Sequence, residues 1–209
     1  MPRAGLSKEA VLDAAVALAD ADGLSAVSMR RLASELGVEA MSLYNHVANK
    51  QDLHRGLVDR VWAEVDLALD EPDWRAALHR LCGSAYRAII AHPWFMSLPV
   101  TFGGMHRLEV INATLLHVKR AGAGKTTTFH ALHTLDGFVA GFAWQAIGYA
   151  DMDATKDRAD EMLAALDPEA LPHLIEHARQ HFEGLAEDDG FVIGLDVLLD
   201  GLERSARAR

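Results

Sequence analysis

Two short helical patterns separated by a glycine constrain this chain more than any other feature, and both lie within residues 25–50. In the first pattern, apolar side chains recur at helical spacing until residues 36–38 (LGV) interrupt it. Leu43 and Val47 then supply the buried side of a second short helix. Two short helices joined by a tight turn with a glycine are typical of a helix-turn-helix, whose second helix enters the major groove of DNA.

Helical periodicity continues through the rest of the chain, and no stretch shows the alternation of a strand. We therefore predict an all-α fold of about ten helices. Residues 1–49 form a three-helix domain with the helix-turn-helix, and residues 50–209 form a helical bundle. The predicted helices span residues 7–22, 28–36, 39–47, 50–69, 73–91, a short one within 94–105, 106–121, 126–149, 168–185 and 191–205. The helix over residues 50–69 connects the two domains, and Pro72 is expected to stop it.

Length and composition exclude several classes of protein. The chain has 209 residues, half of them hydrophobic, so it can bury a core instead of remaining disordered. It lacks the run of about 18 apolar residues that predicts a membrane span. Its first ten residues lack the apolar segment of a signal peptide. The single cysteine, Cys82, is expected to point into a core, and it fits a reducing compartment. We therefore expect a cytoplasmic protein without membrane attachment.

The net charge of the chain is −10, which by itself argues against DNA binding. The distribution of charge changes this interpretation. Residues 1–60 contain seven Lys or Arg and eight Asp or Glu, so most of the negative charge belongs to residues 61–209. Because DNA affinity depends on local contacts between basic side chains and phosphates, Arg30, Arg31 and Lys50 suffice to give the helix-turn-helix a basic face.

A pattern of some fifty residues surrounds the helix-turn-helix. It consists of Val11-Leu12-Asp13-Ala14-Ala15, Leu18, Gly23, Ser28-Met29-Arg30, Leu32-Ala33, Leu36-Gly37-Val38, Leu43-Tyr44, His46-Val47, Asn49-Lys50 and Leu53. This pattern resembles the DNA-binding head of the TetR family of transcriptional repressors, with the glycine, tyrosine and lysine in register. A helical hairpin that merely buries its apolar positions would leave Tyr44 and Lys50 unexplained.

The resemblance implies which side chains contact DNA. Ser28 would cap its helix and donate to a phosphate, and Arg30 would read a base, since arginine can grip guanine at two atoms. Tyr44 and Lys50 would contact the DNA backbone. His46 would either reach a phosphate or serve in packing or capping. The sequence of the operator would be read by the remaining outer residues of the second helix, which are Glu39, Ala40, Met41, Ser42 and Asn45.

The last predicted helix resembles the closing helix of the C-terminal domain of tetracycline repressors, which packs against its copy in a second subunit. A wide apolar face agrees with this resemblance, and Gly194 and Gly201 are expected to let a partner backbone approach closely. The predicted dimer interface consists of Phe191, Leu195, Leu198, Leu199 and Leu202. A symmetric homodimer would place two second helices about 34–36 Å apart on a palindromic site. An ordinary helix of the core within one chain is the alternative.

The resemblance also implies that a small-molecule effector binds inside the bundle, tilts the fourth helix and releases DNA. Aromatic residues with a few polar groups are typical of such pockets. The predicted ligand-binding residues are Trp94, Phe102, Met105, Asn112, His130, His133, Phe138, Phe142, Gln145 and Tyr149, with Phe95, Met96 and Trp144 as further candidates.

Two departures from the tetracycline repressors argue against a metal–tetracycline effector. Gln145 stands where those proteins carry an acid, and the region of Leu98 and Pro99 lacks their metal-binding histidine. We therefore expect no cofactor and no resident metal, and an apolar or aromatic drug, lipid or metabolite as the effector. Met41 stands in place of a proline of those repressors, which indicates a different operator.

Other patterns favour enzymes only weakly. Residues 123–126 (AGKT) resemble part of a phosphate loop, but Lys119 occupies the first glycine position and the segment follows a helix. We instead expect Thr126 or Thr127 to cap the next helix. His173, His177 and His181 lie four residues apart and could hold a metal, but no clear fourth ligand accompanies them, so we favour an exposed polar stripe. The sequence therefore predicts a ligand-responsive repressor. The alternatives are an activator of the same family and, from another class, a metal-dependent helical enzyme.

Overall fold

The computed structural model describes residues 6–99, 103–149, 161, 163–182 and 190–207. These residues contain no strand, which confirms the predicted all-α fold. Nine α-helices are described, together with 3-10 turns at Leu24–Ala26 and Pro93–Ser97. The helices are α1 Lys8–Asp22, α2 Met29–Leu36, α3 Ala40–Leu43, α4 Lys50–Ala63, α5 Trp74–Ala91, α6 Met105–Arg120, α7 Lys125–Tyr149, α8 Pro172–Phe182 and α9 Gly190–Arg207.

Polar side chains and glycines fix the ends of the first helices. Ser7, Ser28 and Asn49 cap α1, α2 and α4, and each accepts a hydrogen bond from a backbone N–H in the first turn of its helix. Gly37 ends α2 with a φ of 65°, a left-handed conformation that costs a glycine little. The sharp turn between α2 and α3 follows from this residue.

The third and fourth helices are shorter than the sequence predicts. α3 ends at Leu43, and a turn takes the place of its expected last residues. α4 ends at Ala63, with Glu64 at its C-terminal capping position, well before Pro72. Between α4 and α5, the N–H of Asp66 donates to Ser84 Oγ of α5 at 2.8 Å. This bond holds the backbone against α5, so the N–H of Asp66 does not take part in a continued α4.

The core runs without interruption from the first three helices into the bundle. Leu32, Leu43 and Val47 are buried among α1, α2 and α4. In the bundle, α5 is the central helix and packs against α4, α6, α7 and α9. Because α4 contacts both α1 and α6, it joins the helix-turn-helix to the bundle.

The remaining helices differ little from the prediction. α7 begins at Lys125, so Thr126 and Thr127 lie inside its first turn and not at the capping position. α8 begins four residues later than predicted, and its last predicted residues, 183–185, lie outside the described residues. α9 begins one residue earlier than predicted and ends two residues later. Within the described residues, no helix is long and apolar enough to span a membrane.

Candidate DNA-binding surface and effector cavity

The short helix α3 has one buried and one exposed side. Leu43 is fully buried, whereas Met41 is 76% exposed and Tyr44 is 46% exposed. Glu39 precedes the helix and makes no capping hydrogen bond through its side chain. An exposed helix side with mixed apolar and polar groups is suited to contact base edges in a groove.

Two further helix starts belong to the same head of the molecule, which comprises α1, α2, α3 and the start of α4. Ser28 Oγ accepts from the N–H of Arg31 at 3.3 Å, and Arg31 forms an ion pair with Asp22 of α1. Arg31 is therefore partly neutralised. Arg30 is exposed, and neither it nor Lys50 forms an ion pair among the described residues. These two cations remain available to phosphates.

The predicted DNA-binding residues are all at least partly accessible. Seven are exposed, and three are half-buried. The exposed residues are Ser28, Arg30, Glu39, Met41, Tyr44, Asn45 and Lys50, and the half-buried residues are Ala40, Ser42 and His46. Their roles in contacting DNA remain predictions.

A cavity of about 160 Å³ lies in the bundle between α4, α5, α6 and α7. Its wall is mostly aliphatic and aromatic, and the other lining residues are Arg107, Asp136, Thr114 and Cys82. The apolar lining residues are Val58, Trp62, Leu81, Ala85, Ile89, Phe95, Met96, Leu98, Pro99, Val110, Leu135, Val139 and Ala140. A concave, mostly apolar space with few polar groups is the usual form of a small-molecule site.

The polar part of the cavity wall centres on Arg107. Its Nη2 pairs with Asp136 of α7, and its guanidinium carbon lies 4.4 Å from the centroid of the Trp62 ring. Trp62 also meets Phe95 edge to face, with ring centroids 5.6 Å apart. The Arg107 side chain is thus held between α7 and α4 by an ion pair and a cation–π contact.

Cys82 presents a buried thiol to the same cavity. Burial, with a smaller contribution from the charge of Asp136, raises the pKa of this thiol to about 12. Its thiolate is therefore scarce at neutral pH, and the thiol is expected to behave as a small apolar group.

We expect alkylation of Cys82 by iodoacetamide to be at least about 100-fold slower at pH 8 in the folded protein than in the urea-unfolded chain. An ordinary thiol has a pKa of about 8.5, and the reactive thiolate becomes tenfold scarcer with each further unit. Mass spectrometry over pH 7–10 measures the rate. In the folded protein the rate should still be rising at pH 10. A plateau near pH 9 would contradict this interpretation.

The predicted ligand-binding residues lie elsewhere. Phe102 is outside the described residues, and nothing is described of the Tyr149 side chain. None of the other eight lines this cavity. Trp94 is buried and bonded to α1, Phe138 and Phe142 pack on Phe191, and His130 lines a groove between α7 and α9. Met105, Asn112, His133 and Gln145 are exposed. Phe95 and Met96, the further candidates, do line it, whereas Trp144 is exposed.

Polar contacts join the head to residues 92–96, the cavity segment, which includes Phe95 and Met96 of the cavity wall. Asp20 of α1 accepts a hydrogen bond from Trp94 Nε1 at 2.6 Å, and His92 Nδ1 lies 2.7 Å from the same carboxylate oxygen. His92 Nε2 lies 3.1 Å from Glu64 at the end of α4. Because Phe95 directly follows Trp94, one short stretch of chain both lines the cavity and contacts the head.

A second contact joins α4 to α6. Asp59 Oδ1 accepts from the N–H of His106 at 3.0 Å, and its Oδ2 lies 3.1 Å from His106 Nδ1. Gly104 is required beside them, because a Cβ at this position would collide with the Asp59 carboxylate. This carboxylate therefore supplies a capping bond at the start of α6, whose own capping position is the glycine.

The structure places most of the predicted dimer-interface residues in the core of the protomer. Phe191, Leu195, Leu199 and Leu202 are buried within the protomer, and Leu198 is half-buried, so a partner could cover little of them. Gly194 also serves the inside, since a Cβ there would lie 2.8 Å from Phe138. α9 also carries apolar residues that remain exposed, namely Val192, Ile193 and Val197, of which Ile193 and Val197 are the most exposed.

The histidines proposed as metal ligands gain no support from the geometry. His173 and His177 are exposed on α8, and the His181 side chain lies outside the described residues. Among the described residues, no group of three potential ligands is close enough to hold a metal ion.

Comparison with known protein families gives two matches along the chain. The family described as "Tetracyclin repressor-like, C-terminal domain" matches residues 68–206, and "Bacterial regulatory proteins, tetR family" matches residues 11–56. The HTH-type transcriptional repressor DrrR1 of Streptomyces coeruleorubidus is 30% identical, over 97% of this chain and 79% of its own.

Solved structures agree with these matches. Ligand-free ActR from Streptomyces coelicolor superposes with a TM-score of 0.81 at 27% identity, covering 98% of both chains. ActR in complex with actinorhodin gives a TM-score of 0.80 at 27% identity, covering 95% of this chain and 96% of ActR. The matched family and relatives are transcriptional regulators and not enzymes. This chain therefore belongs to the TetR family of bacterial transcriptional regulators.

Proposed function

We propose that this protein is a ligand-responsive repressor, which leaves a palindromic operator when a small molecule enters the cavity. The observation that carries this proposal is the composition of the cavity wall, which includes Val58 and Trp62 of α4. A ligand in contact with α4 touches the helix that also packs against the head. The repressor name of DrrR1 and the actinorhodin complex of ActR support the same function.

Residues 1–49 would bind DNA, and residues 50–209 would bind the effector and a second subunit, with α4 between the two functions. Arg30 and Met41 would contact base edges, because both are exposed in the helix-turn-helix. Tyr44 and Lys50 would hold the DNA backbone. Lys50 is the first residue of α4, where the unpaired N–H groups of the helix also favour a phosphate.

The exposed apolar side of α9 would form the homodimer together with α7. Ile193 and Val197 are large apolar residues exposed on α9, and Trp144 is exposed on α7. Gly137 and Gly141 of α7 have open space where a Cβ would point, which would allow a partner helix to approach closely. This arrangement replaces the interface that the sequence predicts.

Two contacts would transmit ligand binding to the head. A ligand that displaces Phe95 would move Trp94 and His92, which hold Asp20 of α1. A ligand that displaces Trp62 would move α4 directly. This movement would lengthen the hydrogen bond from the N–H of His106 to Asp59, which joins α6 to α4. DNA release requires only that the ligand binds better to the arrangement in which the heads no longer match the operator.

Fluorescence-anisotropy titration of the protein on a labelled fragment of its own upstream DNA tests this proposal. We expect specific binding that weakens steeply between about 50 and 200 mM salt. The same assay then finds effectors by their release of the DNA. If neither this fragment nor a random-oligonucleotide selection yields a specific site, the proposal is overturned.

We expect Asp20→Ala to bind DNA normally but to resist release. The substitution removes the acceptor shared by His92 and Trp94, so the cavity segment loses its hold on α1. The concentration of a releasing compound needed to free half of the DNA should rise about five- to 150-fold. The affinity of that compound for the protein without DNA should change much less.

Asp22→Ala is the matched control. Asp22 also lies on α1, but it pairs with Arg31 inside the head and has no described bond to the bundle. Because the loss of Asp22 also frees Arg31, release is compared at equal saturation of the DNA, and it should stay close to that of the unmodified protein. An equal loss of release in both variants would contradict the coupling role of Asp20.

A further inference from the structure

The cavity wall contains one buried polar atom that lacks a hydrogen-bond partner among the described residues. Arg107 Nη1 is buried and has no hydrogen-bond partner among the described residues, whereas Nη2 pairs with Asp136. The whole Arg107 side chain is only 15% exposed. A buried donor without a partner is unfavourable, so a ligand oxygen that accepts from Nη1 would gain the full benefit of that bond.

The charges around Arg107 favour an uncharged acceptor. Asp136 already balances the guanidinium, and no second cation lines the cavity in the described part of the chain. A carboxylate ligand would place another negative charge beside Asp136 in a mostly apolar space, where such charges interact strongly. A ketone, quinone or phenol oxygen accepts the same hydrogen bond without this repulsion.

The shape and lining of the cavity favour an aromatic ring. Trp62 and Phe95 form an edge-to-face pair in the wall, and a ring beside them would extend this arrangement. The cavity volume is about 160 Å³. Since an apolar cavity of about 150 Å³ binds benzene, the space suits one ring with a short substituent.

From these observations we propose that the effector is a small aromatic compound with a neutral acceptor oxygen, which receives a hydrogen bond from Arg107 Nη1. This inference rests on the cavity being the effector site. It names Arg107 as the residue that selects the chemical class, and Trp62 and Phe95 as the residues that hold the ring.

The test uses three probes of similar size on the full chain: acetophenone, ethylbenzene and benzoate. Acetophenone carries the neutral oxygen, ethylbenzene lacks any acceptor, and benzoate adds a charge. Ligand-observed NMR titration gives the three dissociation constants. We expect acetophenone to bind at least about tenfold more tightly than either of the others.

Variants assign the preference to Arg107. In Arg107→Met combined with Asp136→Asn, ethylbenzene should still bind and the advantage of acetophenone should disappear. The double change avoids leaving Asp136 as an unpaired charge, which would endanger folding. Arg87→Met, an exposed arginine on α5 outside the cavity, is the control and should keep the preference.

The outcomes separate this inference from the proposed function. Equal binding of ethylbenzene and acetophenone, or tightest binding of benzoate, would overturn the inference and leave the cavity as a ligand site. A preference for acetophenone that survives in the double variant would also overturn it. Failure of all three probes to bind would overturn both the inference and the cavity as the effector site.

Discussion

Replacing Lys50 with alanine should weaken DNA binding at least about tenfold at physiological salt and reduce its dependence on salt. Each lost phosphate contact lowers the slope of log affinity against log salt by about 0.9. A dimer loses two such contacts, so we expect the magnitude of the slope to fall by about 2. Anisotropy titrations of the operator at four salt concentrations measure both quantities.

The control for Lys50 is Lys119→Ala. Lys119 is exposed in the last turn of α6, so its replacement makes the same change in net charge far along the chain from the helix-turn-helix. For Lys119→Ala, the slope of log affinity against log salt should match that of the unmodified protein. An unchanged slope in Lys50→Ala would contradict the phosphate contact, and equal slopes in both variants would attribute the effect to net charge alone.

Replacing Leu43 with alanine should destabilise the head by about 2–5 kcal/mol and abolish specific DNA binding. Leu43 is fully buried and anchors the four-residue helix α3 to the core, so its loss leaves a cavity behind the DNA-contacting side chains. Urea unfolding followed by circular dichroism measures the free energy of unfolding, and anisotropy measures the loss of binding.

Met41→Ala, two residues earlier on the same helix, is the matched control. Because Met41 is 76% exposed, its replacement should change the free energy of unfolding by less than about 0.5 kcal/mol. It should instead change which bases are preferred in the operator, through a lost apolar contact with thymine methyls. Equal destabilisation by the two substitutions would mean that α3 has no free outer side.

The helix caps and the turn of the helix-turn-helix could be predicted from the sequence, because their determinants are local. Ser7 and Ser28 cap their helices as predicted, and Gly37 makes the turn. Helix ends set by tertiary contacts could not be predicted in this way. The periodicity that suggests an α4 of twenty residues continues through Val65, which is buried, but the backbone there is held by Ser84 of another helix.

The two largest differences between the sequence prediction and the structure concern which side of a helix faces the core. α9 is apolar on two sides, and periodicity alone does not tell that Leu195 and Leu199 face inward while Ile193 and Val197 face outward. The cavity could not be predicted for a related reason, since α4, α5, α6 and α7 all contribute to it. Arg107 in particular gives no sequence signal, because its role depends on a partner twenty-nine residues away.

The capping of α6 by Asp59 makes one backbone amide a gauge of the position of the head. The hydrogen bond from His106 N–H crosses from α6 to α4, so it lengthens as soon as the two helices separate. Exchange of that proton with deuterated solvent is slow while the bond persists and fast once it opens. The His106 amide therefore reports the tilt of α4 in the unlabelled protein, without DNA and before any effector is known.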